Sequence, residues 1–206
     1  MPYFVHIPKS GGTALERNLP VLCGKEFKGG GHHLTAEDVT NRGEDALVIL
    51  REPVDRFRSA FSYWKDGSKD LRQYTRKGAH PPSEKLSTLS AFIDAAANSE
   101  HVYHDVAVNA MTQRDGYTWD VHFAPQANWI TNGVPEKTHV VCYDRERLAS
   151  NVESTLRDRL NITCDLSGLP LVNVSRSSTD EPLSEFQRGW LETRYEKDFE
   201  LWKHHC

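Results

Sequence analysis

The chain has 206 residues, 38% of them hydrophobic and 26% charged, which suits a soluble globular protein with a substantial core and one domain spanning 1–206. Its net charge of −4 gives no sign of wholesale binding to nucleic acid or acidic membranes. Any site for an anionic ligand must therefore be a local basic pocket.

In chain order, residues 3–7 (Tyr3, Phe4, Val5, His6, Ile7) read as a short buried strand bounded by Pro8. The loop Lys9-Ser10-Gly11-Gly12 follows, and Thr13 opens a helix. A strand, a glycine loop and a helix start make an anion site, because the first helical N–H groups lack partners and the helix dipole favours negative charge. Gly11 and Gly12 let backbone approach a phosphate, Lys9 supplies a mobile charge, and Ser10 and Thr13 add hydroxyls. The nucleoside-triphosphate loop places its lysine after the glycines. Here it comes before them. The plain alternative is a tight turn beside a surface lysine.

Residues 19–22 read as the end of that helix or a second extended segment. Residues 24–33 are glycine- and lysine-rich and deliver His32 and His33 ahead of a helix capped by Thr35 and Asp38. An imidazole on such a loop is a natural general base, or simply a solvated residue. Residues 45–50 form a continuous apolar run suited to a buried parallel strand. It ends at Arg51, and a helix follows with Pro53 in its first turn and Val54, Phe57, Phe61 and Trp64 on one face. Ser59 lies about two turns into that helix. In open α/β sheets ligands bind beyond the carboxyl ends of strands, so Lys9 and Arg51 are expected to face one crevice.

Residues 65–87 read as a charged connection, 86–98 as a helix, and 101–111 as a short helical or irregular segment. Residues 120–130, with His122 and Gln126, read as a loop entering a helix. A third strand is expected at 138–143, an amphipathic helix at 144–160, an extended polar segment at 171–178, and one long closing helix at 183–204. Strands alternating with helices predict an α/β domain, three layers with a central parallel β-sheet flanked by helices.

Cys23, Cys142, Cys164 and Cys206 are scattered without a C-x-x-C pair, so no structural zinc is expected, and reduced thiols are the preferred reading. No signal peptide and no apolar span is visible, which predicts a soluble, cytoplasm-like location. Asn161-Ile162-Thr163 and Asn173-Val174-Ser175 match glycosylation acceptors, which carry weight only on a secretory route.

Two segments together resemble the cofactor signature of sulfotransferases that use 3′-phosphoadenosine 5′-phosphosulfate (PAPS). Residues 4–13, F-V-H-I-P-K-S-G-G-T, are similar to the family's phosphosulfate loop. Residues 51–59, R-E-P-V-D-R-F-R-S, are similar to its 3′-phosphate segment. Gly31-His32-His33-Leu34-Thr35, the H-F-A-P-Q run at 122–126, Asn173-Val174-Ser175 and the Tyr195/Asp198/Phe199 pattern resemble further elements of the carbohydrate-modifying, membrane-type branch. That branch carries an anchor and stem, which are not visible here.

The resemblance implies a P-loop-like sulfotransferase fold and transfer of a sulfuryl group from PAPS to an acceptor hydroxyl, on a glycan or a small molecule, leaving 3′-phosphoadenosine 5′-phosphate (PAP). It implies cofactor contacts from Lys9, Ser10, Gly11, Gly12, Thr13, Arg51, Ser59 and Arg176. Catalysis falls to Lys9 at the leaving group and to His33, or else His32, as base. His122 and Gln126 are acceptor-side candidates, and no metal is required. The rival readings are a P-loop-type nucleotide phosphotransferase and a module that binds PAPS or PAP without catalysis.

Overall fold

The computed structural model describes residues 1–24, 27–29, 33–65, 84–111, 121–130, 136–169 and 181–206. Its elements run β1 (Tyr3–Val5), α1 (Gly12–Leu22), β2 (Lys28–Gly29), α2 (Ala36–Thr40), β3 (Ala46–Leu50), α3 (Pro53–Lys65), α4 (Leu89–Ala97), α5 (His104–Met111), β4 (Thr138–Cys142), α6 (Leu148–Leu160), α7 (Glu185–Arg194) and α8 (Glu196–His205). Short 3-10 turns occupy Glu84–Leu86 and Gln126–Asn128. The chain divides into two compact units. The first comprises Met1–Glu52, Pro125–Val174 and Lys197–Cys206; the second, Pro53–Ala124 and Ser175–Glu196.

The first unit is built on a four-stranded, wholly parallel sheet in the order β2-β1-β3-β4. All five residues of β3 are buried, as its unbroken apolar sequence requires of a central parallel strand. Phe4 pairs with Leu47, and Leu47 in turn with His139. Phe4, Leu47, Ile49 and Val141 of the strands share one core cluster with Leu15 and Leu19 of α1 and with Val152 and Leu156 of α6. The α/β class with a central parallel sheet flanked by helices is thus observed.

Some local outcomes differ from the sequence reading and others agree with it. β2 falls in the stretch read as a loop; its Lys-Gly sequence has little strand propensity, and pairing with Tyr3 and Phe4 creates it. Residues 19–22 belong to α1, with Pro20 in its last turns. The capping box at α2 is present: Asp38 N donates to Thr35 Oγ1 (3.0 Å), and Thr35 N donates to Asp38 Oδ2 (2.9 Å). The expected closing helix is two helices. Tyr195, at φ −117° and ψ 28°, breaks it, and its buried hydroxyl donates to Phe123 O at 2.8 Å.

The reduced-thiol expectation is corrected. Cys23 is bonded to Cys164, and Cys142 to Cys206. Sequence separations of 141 and 64 residues hid both pairs, because only the folded sheet and its helices bring those positions together.

The second unit packs aromatic side chains of α3, α4 and α7. Phe57 meets Phe123, Tyr195 and Trp190 at ring separations of 5.3, 5.8 and 6.3 Å, and Phe61 meets Phe92 at 5.2 Å. Gln187 Nε2 donates to Ser90 Oγ (2.6 Å) and Asp94 Oδ1 (2.8 Å), tying α7 to α4.

Candidate functional site

The glycine loop of the first unit begins where β1 leaves its ladder. His6, Ile7 and Pro8 stay buried, and Lys9 and Gly11 both adopt positive φ, 67° and 81°. For Gly11 that geometry is inexpensive. For Lys9 it stores strain, which in other proteins gathers where a side chain must be aimed. Gly11 is the N-cap of α1 and supplies no side-chain acceptor, and the first turn holds no acidic residue. The N-cap therefore offers the leading N–H groups no side-chain acceptor, the condition for an anion seat.

Both glycines are dictated by their surroundings. A Cβ on Gly11 would lie 2.7 Å from the Tyr143 ring. A Cβ on Gly12 would lie 2.4 Å from His6 Cδ2. His6 is 4% exposed, and its Nδ1 lies 2.7 Å from Glu16 Oε2, which fixes the ring against the loop.

Arg51 reaches the same loop from the end of β3. Its Nη1 donates to Lys9 O at 3.1 Å, and its guanidinium lies over the Tyr143 ring, 4.7 Å from the centroid. The Arg51 side chain is thus bonded to the main chain of Lys9, 42 positions away. Planar stacking and a fixed donor fork make arginine suited to hold a phosphate in a defined orientation.

Gln126 joins the parts. It is fully buried; Oε1 accepts from Ser10 Oγ (3.2 Å) and Arg51 N (3.0 Å), and Nε2 donates to Arg51 O (2.8 Å). Its own backbone N–H and that of Ala127 donate to the Asp198 carboxylate, at 2.8 and 2.9 Å. Gln126, expected on the acceptor side, stands here as a positioning residue, and the buried Ser10 hydroxyl is directed to it.

The other sequence candidates are spread over both units. His33 is exposed in the turn before α2. Ser59 is half-buried on α3 in the second unit, and His122 of that unit lies against the Tyr63 ring at 4.4 Å. Thr13 is half-buried in the first turn of α1. His32 and Arg176 lie outside the described residues, as do most of the charged connection at 65–87 and the polar segment at 171–178. Among the described residues, no group of three His, Cys, Asp or Glu side chains could hold a metal ion.

No family model, curated protein or solved structure matches the chain. The site must be read from its own geometry. Sequence reasoning missed Tyr143 as a platform, the His6–Glu16 pair and the anchoring role of Asp198. His6 and Asp198 carried signals, as members of the 4–13 run and of the C-terminal pattern, and neither signal named a partner.

Proposed function

We propose that the chain is a PAPS-dependent sulfotransferase acting on an acceptor hydroxyl. The observation that carries the reading is the Arg51 side chain bonded to the Lys9 main chain, in a glycine loop whose N-cap offers no side-chain acceptor. One lysine and one arginine beside the amides that open α1 suit a ligand with two separate anionic groups. When bound, PAPS supplies the sulfuryl group and a bisphosphate leaving group.

The residues divide the work by charge. Negative charge grows on the oxygen bridging to the 5′-phosphate, and Lys9 with the amides that open α1 would stabilise it. Arg51 would hold the 3′-phosphate. The acceptor hydroxyl gives its proton to a histidine, His33 or else His32, as its oxygen bonds to sulfur. Sulfuryl transfer, like phosphoryl transfer, depends on positioning and electrostatics more than on covalent help from the protein. Two disulfides fit maturation in an oxidising compartment, where a hydroxyl-rich glycan is a natural acceptor.

The test pairs calorimetry with PAP and transfer of labelled sulfate from PAPS to a panel of glycan and small-molecule acceptors, with ATP and Mg²⁺ as the competing donor. Lys9→Ala should cut transfer by two or more orders of magnitude while PAP still binds. Arg51→Ala should mainly weaken PAP, and His33→Ala should abolish transfer without loss of PAP. Absence of PAP binding by the unaltered chain would overturn the reading, and PAP binding without transfer to any acceptor would reduce it to a binding module.

A further inference from the structure

A second site lies at the far end of the first unit from the glycine loop. α6 starts beside that loop, where a Cβ on Gly11 would come 3.1 Å from the Leu148 side chain, and it ends at Asn161. At ~1.5 Å per residue, its 13 residues put Asn161 about 20 Å away. α1 runs outward from the same loop. The far ends of the two helices are joined through Cys23 and Cys164, whose Cα atoms lie 4.8 Å apart.

The turn at this end carries the run Asn161-Ile162-Thr163. Asn161 stands at φ 54° and ψ 35°, the left-handed conformation that closes a helix and that asparagine tolerates better than most residues. That requirement accounts for Asn161 alone. Ile162 turns inward, 8% exposed in the core cluster, with its N–H on Leu156 O at 3.0 Å. On either side of it Asn161 and Thr163 are exposed, and neither side chain hydrogen-bonds to a described residue. Among the described residues, nothing calls for a hydroxyl at 163. An asparagine with a hydroxyl two positions on, both open to solvent, is the acceptor pattern for N-linked oligosaccharide. The pattern has force on a secretory route, and the pairing of all four cysteines fits the oxidising compartments of that route. Val21 and Leu22, 77% and 37% exposed, lie at this same end beside Cys23, where a hydrated glycan would screen them from other apolar surfaces.

We propose that Asn161 is an acceptor for N-linked oligosaccharide. The donor is an oligosaccharide carried on a polyprenyl diphosphate. Asn161 Nδ2 bonds to the anomeric carbon of the first sugar and gives up one proton. The bond from that carbon to the diphosphate oxygen breaks, and the polyprenyl diphosphate leaves with the electron pair. Transfer acts on the unfolded chain, before Ile162 is buried, and the folded turn then leaves the glycan in solvent. Projecting from the end of α6, it leaves the glycine loop open. The site is independent of the sulfotransferase reading.

The test expresses the full chain behind a cleavable leader in cultured insect cells and recovers it from medium or microsomes. Peptide N-glycosidase in heavy-oxygen water releases each N-linked glycan and marks its asparagine as labelled aspartate. Fragment-ion sequencing of the reduced, alkylated peptide then separates Asn161 from Asn173. Most molecules should carry the label at Asn161. Thr163→Ala keeps the asparagine and removes only an exposed hydroxyl, so labelling at 161 should fall at least tenfold. Thr163→Ser, which restores a hydroxyl, should return it. Asn161→Gly, which adopts the left-handed turn freely, should still be recovered with both disulfides and should carry no glycan at this turn. The proposal is overturned if the disulfide-bonded parent is unlabelled at Asn161, if label appears at Asn173 alone, or if Thr163→Ala is labelled at 161 like the parent.

Discussion

Replacing Gln126 by leucine keeps its bulk and deletes its carboxamide. Three hydrogen bonds vanish, from Ser10 Oγ and Arg51 N and to Arg51 O. At about 1 kcal/mol each the net loss is about 3 kcal/mol, and it rises toward 5 kcal/mol if the stranded buried groups find no water. The leucine also leaves Asp198 in place beneath the 3-10 turn, so the loss is confined to the junction of the glycine loop and β3. Urea denaturation should show a lower midpoint with an unchanged slope. Native-state hydrogen exchange should show the Arg51 amide, now without its acceptor, exchanging orders of magnitude faster. Affinity for PAP should fall as Lys9 and Arg51 lose their fixed relation. A stability loss below about 1 kcal/mol with Arg51 still protected would refute Gln126 as the link between the two segments.

Three other outcomes follow from particular contacts. Gly12→Ala drives a methyl to 2.4 Å from the buried His6 ring and should cost about 1–3 kcal/mol in a thermal or urea melt and weaken PAP binding; a neutral result would mean that the loop accommodates the methyl. Removing the Cys23–Cys164 bond by a double alanine substitution should cost about 2–4 kcal/mol, read as a lowered Tm under non-reducing conditions. Hydrogen bonds from Thr35 hold the Asp38 pKa below its ordinary 3.8, so its stabilising contribution is present above that pH and is lost as pH falls through the lowered value. Asp38→Ala should therefore destabilise α2 by about 1 kcal/mol at neutral pH and by less in acid, as measured by urea midpoints across pH.

The parallel sheet was legible because its two long strands announce themselves: residues 46–50 are unbroken apolar sequence, and 138–142 are rich in β-branched residues. β2 was not, since two residues of lysine and glycine pair only because β1 offers an edge. The glycine loop and Arg51 were legible as residue types at fixed spacing, but their bond through Lys9 O depends on two strands lying side by side. Gln126 was visible as a polar residue in a recognisable run, yet burial turned it inward, and burial is what a lone sequence expresses least. The closing helix was overextended for a similar reason. Nothing local marks Tyr195 as a break, and its hydroxyl bonds to a carbonyl 72 residues away.

The pattern of the disulfides has a topological consequence. The first unit is drawn from three stretches of chain, and Cys23–Cys164 joins the first to the second while Cys142–Cys206 joins the second to the third. All three stretches are thus cross-linked independently of the backbone that runs through the second unit. A protease that cuts anywhere within 53–124 or 175–196 leaves the first unit one covalent molecule. Such a nick would be silent on a non-reducing gel and would show as separate fragments once thiol is added.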